Sequence, residues 1–436
     1  MSGDMFFAVT GLIKGCYRTG TSMTSIHESV LPNGLRVVLQ PDAAIPQVGI
    51  AVYYDVGSRN ETPGTTGFAH LFEHMMFQGS DHVAKGEHFR LVHAWGGSLN
   101  GTTSQDRTNY YLSLPSHQLR LGLWLEADRM RSLAVNEENF ENQRETVMEE
   151  RRQRVDNSPY GSAFVRLGEI SYENFAYSHP VIGSWEDLEN AKLEQVQDFH
   201  RLWYRPDNAV LAISGDFELE YALDVIHDFF GDIETGGVRP SPVLDEPVRD
   251  KRTRERVVDG LAHLPAVFIN HQAPPYGDPD FYVYEVIETL LLRGPSSRLY
   301  RRMVIEEGSA IQVSGGYEAH RGPSLFGVFA VLPRDGDLEG FTRSYLEELQ
   351  RLVTEPVSEA DIQKVCNQLH SARIFGQESV VQRAMSLGRA VLYHNDAHWE
   401  ERYIERLLRV QPEDIQRVAA RDFSADRCTV LEVVPE

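Results

Sequence analysis

The sequence predicts an α+β protein built from two homologous domains, each a mixed or antiparallel sheet packed with helices. Three observations lead there. Strand-like and helix-like segments mix without the regular alternation of a doubly wound fold. LEQVQDFHRLWYRPDNAVLAISGDF at 193–217 lies over PEDIQRVAARDFSADRCTVLEVVPE at 412–436 as helix, aromatic, Asp and apolar strand, offset by 219 in a chain of 436 residues. An offset of half the chain is what two copies of one unit require. Between the copies stands IETGGVRPSPVLDEPV at 233–248, rich in Gly and Pro as a linker is. The expected division is an N-terminal extension at 1–25, a first domain at 26–232, the linker at 233–248 and a second homologous domain at 249–436.

Each element has its own signal. In the extension, Asp4 precedes the short apolar run Met5 to Ile13, where a secretory leader carries Lys or Arg, and no small-residue cleavage site follows. The expected location is therefore cytoplasmic, with periplasm or organelle as alternatives, and Met23 stands as an alternative start. Arg36–Gln40 and Val48–Asp55 read as strands, with Pro41 and Asp42 opening the connection. GFAHLFEHMMF, Gly67 to Phe77, places Leu71, Phe72, Met75 and Met76 at the spacing of a buried helix ending against Gly79. Glu87–Trp95 reads as a helix stopped by Gly96 and Gly97, and Thr108–Leu114 as a strand. Asn136 is placed to cap a polar helix that runs to a stop at Asp156, Asn157 and Pro159. The mixture implies a sheet with helices on one face.

Composition narrows function. At 42% hydrophobic and 24% charged the chain can bury real cores, and it contains no run near the roughly 18 apolar residues of a membrane span. A formal charge of −22 argues against a nucleic acid or an anionic membrane surface as partner and favours a neutral or basic ligand. Cys16, Cys366 and Cys428 are too few and too scattered for a disulfide framework or a zinc knuckle.

The chemistry lies in HLFEH: His70, Glu73 and His74. Residues i and i+4 share a helical face, so both imidazoles can reach one metal ion, and Glu73 projects beside them. Two neutral imidazoles suit zinc, and a catalytic site needs one more protein ligand and an open position. The order H-x-x-E-H is the inverzincin signature; the plain alternative is two exposed histidines on an amphipathic helix. An acidic third ligand is expected from 136–155, which carries Glu145, Glu149 and Glu150. Neighbours on a helix stand about 100° apart, so Glu149 and Glu150 cannot both face the site, and spacing alone does not choose between them.

LPNGLRVVLQPD at 31–42, GFAHLFEHMMFQGS at 67–80, NQRETVMEERRQRVDN at 142–157 and YRPDNAVLAISGDF at 204–217 resemble the insulinase/pitrilysin family of zinc metallopeptidases. The likeness is to its short two-domain subunits, such as mitochondrial processing peptidase and bacterial relatives, and runs from about residue 26 to the end. It implies a zinc peptidase subunit forming half of a clamshell chamber, with zinc held by His70, His74 and Glu150 and Glu73 as general base. The first domain would be catalytic, the second would serve substrate binding and dimerisation. Where the family often has a supporting glutamate, this chain has Gln143. The resemblance also makes 98–111 an edge strand for extended peptides, with Asn100, Gly101 and Thr102 as substrate-binding candidates; the family's usual Ala is Gly101 here, which is expected to loosen the strand.

In GPSSRLYRRMVIEEGSAIQVSGGYEA at 294–319, active relatives present an Arg and a Tyr that hold substrate carbonyls. Anchoring on Gly308 puts Val304 and Ile311 in those places. Either Arg302 or Tyr317 compensates, or a homologous partner supplies the pair; the second reading is preferred. The expected partners are thus a peptide, possibly basic, and a homologous subunit in a heterodimer, or a second copy. A non-catalytic scaffold subunit of the same fold is the alternative, against which the intact metal set argues. No G-x-S-x-G elbow, Walker loop or dinucleotide fingerprint supports an unrelated chemistry.

Overall fold

Apolar β-branched and aromatic runs in both halves pair into two sheets. The computed structural model describes residues 25–436; Cys16, Met23 and the apolar run at 5–13 lie outside them. The strands are β1 (His27–Val30), β2 (Arg36–Pro41), β3 (Gln47–Tyr54), β4 (Ser98–Thr103), β5 (Thr108–Pro115), β6 (Ala209–Gly215), β7 (Thr253–Val258), β8 (Ala266–Ala273), β9 (Gln312–Glu318), β10 (Ser324–Val331) and β11 (Cys428–Val434). Helices of eight residues or more in the first half are α1 (Phe68–Met75), α2 (Glu87–Ala94), α3 (Leu119–Ser132), α4 (Glu137–Arg151), α5 (Gly161–Ser171), α6 (Leu193–Trp203) and α7 (Leu219–Phe230). In the second half they are α8 (Phe281–Leu292), α9 (Leu338–Thr354), α10 (Glu359–Gly376), α11 (Val380–His394), α12 (Trp399–Leu407) and α13 (Pro412–Asp422).

The first sheet runs β1-β2-β6-β3-β5-β4 and the second β7-β11-β8-β10-β9. Without β1 the two orders superpose strand for strand. In each, the first strand pairs in parallel with the last strand of its half, β2 with β6 and β7 with β11, and the other pairings are antiparallel. Helix α6 and strand β6 recur as α13 and β11, starting at 193 and 209 against 412 and 428, so the internal match lies on equivalent elements. Residues 234–250 between the sheets form no helix or strand.

One face of each sheet packs on helices of its own half. Val52, Tyr54 and Ile213 meet Leu71, Phe72 and Phe199 in the first, and Val267, Ile269 and Val430 meet Ile287, Tyr345 and Ile415 in the second. The other face is also covered, which corrects the expectation of helices on one face only. Strand β6 is buried at every position and β3 at all but its first, and a strand apolar on both faces needs a cover on both. The covers are exchanged between the halves. Helix α11 lays Ala384, Leu387 and Val391 on Ala51, Tyr53 and Val210 of the first sheet, while α5 lays Ala163 on Ala266, Phe268 and Leu431 of the second. Each buried Leu or Val contributes roughly 1.5–3 kcal/mol. The approach is close enough that a Cβ on Gly49 of β3 would stand 2.5 Å from the Val380 carbonyl oxygen.

Candidate metal centre and the strand beside it

Helix α1 is short, and packing fixes it. Leu71, Phe72 and Met75 are fully buried, and the Phe72 ring lies against Phe199 and Tyr204. The Tyr110 hydroxyl donates to the Phe72 carbonyl at 2.8 Å. At its N-terminus, where helical amides lack partners, the buried Glu61 carboxylate accepts from Gly67 N at 2.9 Å and Ala69 N at 2.8 Å. His179 Nε2 lies 3.0 Å from Glu61, and its Nδ1 2.7 Å from the Phe175 carbonyl oxygen. Burial opposes charge on both; Glu61 nevertheless raises the His179 pKa by favouring the imidazolium.

This packing turns His70, Glu73 and His74 to the opposite side. Helix α4 is capped by Asn136, whose side chain accepts from Asn139 N at 3.0 Å. It is held against the first half by buried Phe140 and Val147, and Asn139 Nδ2 donates to the Gln78 carbonyl at 3.2 Å. That register brings Glu150 to the histidines: its Oε2 is 3.4 Å from His70 Nε2 and 3.2 Å from His74 Nε2. The three ligand atoms lie within 4.8 Å of one another. Glu149 points into solvent towards Arg152 and Gln153, so geometry separates the two neighbours that spacing left open. Gln143 is buried and donates to Asn142 Oδ1 at 2.7 Å.

His70 is largely buried, which disfavours its charge, yet the Glu150 and Glu73 carboxylates lift its pKa to about 9. The two histidines hold the Glu150 carboxyl well below the usual range, and Arg154 pairs with its other oxygen at 2.7 Å. Two imidazoles and a carboxylate converging at partly buried positions fit zinc by donor type and number.

Strand β4 is the free edge of the first sheet. A Cβ on Gly101 would meet Glu73 Cγ at 3.1 Å and the Tyr110 ring at 3.1 Å. The residue sits in a regular ladder opposite Tyr110, and glycine admits the Glu73 side chain. The Thr103 hydroxyl, which sequence reasoning missed, donates to Glu73 Oε2 at 2.7 Å. Burial would raise the Glu73 pKa, but hydrogen bonds from His70 and Thr103 lower it, keeping the carboxylate ionised. Across the β4–β5 turn Ser104 N donates to the Arg107 carbonyl at 2.9 Å. Antiparallel alternation from that closed pair turns the peptide groups of Leu99, Gly101 and Thr103 to the free edge and those of Asn100 and Thr102 towards β5.

In the second half, Val304 packs against the core and Ile311 is exposed. Both residues that could compensate have partners of their own. Arg302 is paired with Glu307 and Glu347, and Tyr317 is buried with its hydroxyl donating to the Pro274 carbonyl at 2.6 Å.

Residues 36–184 match the family model described as insulinase (peptidase family M16), and 190–369 the one described as peptidase M16 inactive domain. A zinc protease of Helicobacter pylori, PqqE, is 30% identical over 94% of this chain and 93% of its own. The chain belongs to the M16 family. All four residues of the candidate centre fall in the first match. A crystal structure described as a protease from Helicobacter pylori superposes with a TM-score of 0.91 at 28% identity, covering 95% of this chain and all of that one. A probable mitochondrial processing peptidase subunit beta of Arabidopsis thaliana is 24% identical over 90% of this chain and 75% of its own. Among the described residues no helix is long and apolar enough to cross a membrane.

Proposed function

We propose that the chain is a zinc-dependent peptidase subunit that hydrolyses peptide bonds of extended peptides, with the first domain (26–232) catalytic and the second (249–436), beyond the 233–248 linker, completing a chamber. The convergence of His70, His74 and Glu150 within 4.8 Å, beside Glu73, carries the reading. Zinc held there supplies Lewis acidity towards water and the scissile carbonyl. Glu73 is the base: its carboxylate takes the proton from the attacking water and returns it to the leaving amine. Thr103 orients that carboxylate. The substrate main chain pairs with the outward peptide groups of Leu99, Gly101 and Thr103, and Asn100 and Thr102 contribute side chains on the other face of β4.

Val304 and Ile311 support a role for a homologous subunit carrying the Arg/Tyr pair, in a heterodimer rather than a homodimer; the relative named as a subunit of mitochondrial processing peptidase fits that reading. Metal analysis of the purified chain is expected to find about one zinc per chain, lost in His70→Ala. A quenched peptide library, offered to the chain alone and with candidate partners, is expected to be cut by wild type and not by Glu73→Gln. Equal cleavage by that variant overturns the base assignment, and a chain that binds no zinc favours a non-catalytic scaffold subunit.

A further inference from the structure

Strand β4 has two faces. Gly101 and Thr103 look towards Glu73; Thr102, one residue out of phase, looks the other way, where its hydroxyl meets Asn109 at 2.6 Å. On that second face, between the sheet and the helices of the second half, lies a cavity of about 330 Å³ whose lining includes Tyr53, Arg107, Arg373, Arg389, Glu285 and Glu400.

Its charge runs against that of the molecule. The chain as a whole carries −22, yet four guanidiniums, those of Arg107, Arg293, Arg373 and Arg389, line this space. Arg107 donates to the Thr102 carbonyl at 2.9 Å and lies 6.0 Å from the Tyr53 ring centroid; among the described residues no carboxylate pairs with it. Arg373 and Arg389 share the single carboxylate of Glu400. Arg293 is matched by Glu288 at 2.8 Å. Glu285 accepts from the Tyr403 hydroxyl at 2.9 Å, and burial together with Glu288 raises its pKa, which weakens its hold as a counter-charge. Surplus guanidinium charge in a partly enclosed space between low-dielectric walls attracts an anion.

The position of the cavity says which anion. A peptide added to the free edge of β4 turns successive side chains to opposite faces: one set faces Glu73 and the candidate zinc, the other faces Arg107. We propose that this cavity is a subsite for an acidic side chain of a peptide lying along β4, with Arg107 as the contact nearest the strand and Arg389 and Arg373 contributed by α11 and α10. The proposal rests on the peptidase reading for the placement of the peptide. It restricts the preference for basic peptides expected from net charge to residues that do not face this cavity.

The test is equilibrium binding to the full-length Glu73→Gln chain, read by fluorescence anisotropy of labelled ten-residue peptides whose alternate positions carry Glu, Gln or Lys. The Glu series is expected to bind about tenfold tighter than the Gln series, the size of one charge-assisted hydrogen bond, with Lys weakest. Arg107→Gln, which keeps a donor for the Thr102 carbonyl, is expected to cut the preference below twofold, and Arg389→Gln to reduce it separately. Equal affinities for Glu and Gln peptides, a preference unchanged in both variants, or no peptide binding at all overturns the subsite. If wild type cleaves Glu and Lys peptides with equal kcat/KM, the subsite falls and the peptidase reading stands. If Glu peptides bind selectively and none is cut under any condition, the peptidase reading falls and the subsite stands.

Discussion

The Thr103 hydroxyl, after His70, helps to hold Glu73 ionised, because it donates to the same carboxylate oxygen that faces His70. Removing it withdraws a hydrogen bond from the charged form, which raises the carboxyl pKa. Thr103→Val is therefore expected to lower kcat by about tenfold, in keeping with about 1–1.5 kcal/mol for one such bond, and to move the acid limb of the kcat/KM profile to higher pH. Steady-state kinetics from pH 5 to 8 check both, and an unshifted limb means that the hydroxyl only packs. His70, Glu73 and His74 were legible because a four-residue helical spacing fixes a common face. Glu150 was legible only through family likeness, since periodicity cannot rank two adjacent glutamates. Thr103 and Glu61 were not legible: each reaches the site through tertiary contact, and neither stands at a spacing that local structure enforces.

At the scale of elements, the β4 edge is held by the other half of the chain. Asp106, in the β4–β5 turn, is 2% exposed. It accepts from Arg59 at 3.0 Å, from the Tyr177 hydroxyl at 2.8 Å and from Arg321 N at 2.9 Å. Arg321, in the β9–β10 turn, also reaches Asp55 at 2.7 Å. Two equivalent hairpins thus clasp each other beside the candidate site. Burial opposes charge on Asp106, but hydrogen bonding to His320 and the Arg59 charge win and hold its pKa below the usual value. Its contribution is therefore complete above the unfolded value near 3.8 and is lost as pH falls through the folded one. Asp106→Asn leaves Arg59 with Asp55 at 2.6 Å as its remaining carboxylate partner and is expected to cost about 2 kcal/mol in urea unfolding, the scale of one hydrogen bond to a charged group. Arg321→Ala, which spares the first half's own pairs, is expected to cost less while raising KM for peptides. A full-strength clasp in Asp106→Asn rejects the argument. The sequence announced both copies of the unit through the repeated helix and strand, but not the clasp or the exchanged helices α5 and α11. An amphipathic face records that it will be buried without recording by which sheet.

For the whole molecule, acid sensitivity is expected from three buried histidines outside the candidate centre. His88 and His200 in the first half and His271 in the second are 1%, 7% and 0% exposed. Among the described residues, both ring nitrogens of His88 and His271, and Nε2 of His200, have no hydrogen-bond partner. Burial first, and nearby arginines second, drive each pKa down to about 3. A histidine with a depressed folded pKa binds its proton more readily when unfolded, so stability is full above about 6.5 and falls as pH drops towards the folded value. Each group takes away about 1.4 kcal/mol per pH unit in that window. Three together approach about 4 kcal/mol per unit, enough to exhaust a typical 5–15 kcal/mol within a few units. Urea titrations at pH 7, 6, 5 and 4.5 are expected to show this slope, with acid unfolding near pH 4 and both halves lost together. The competing cause is the change in net charge from −22 on acidification, and salt separates the two. Self-repulsion between surface charges is screened over about 8–10 Å at moderate ionic strength, whereas charging a buried imidazole is not. The slope is therefore expected to survive 0.5 M salt and to fall by about one proton in His271→Leu. A slope that salt abolishes, or that His271→Leu leaves intact, assigns acid sensitivity to the surface instead.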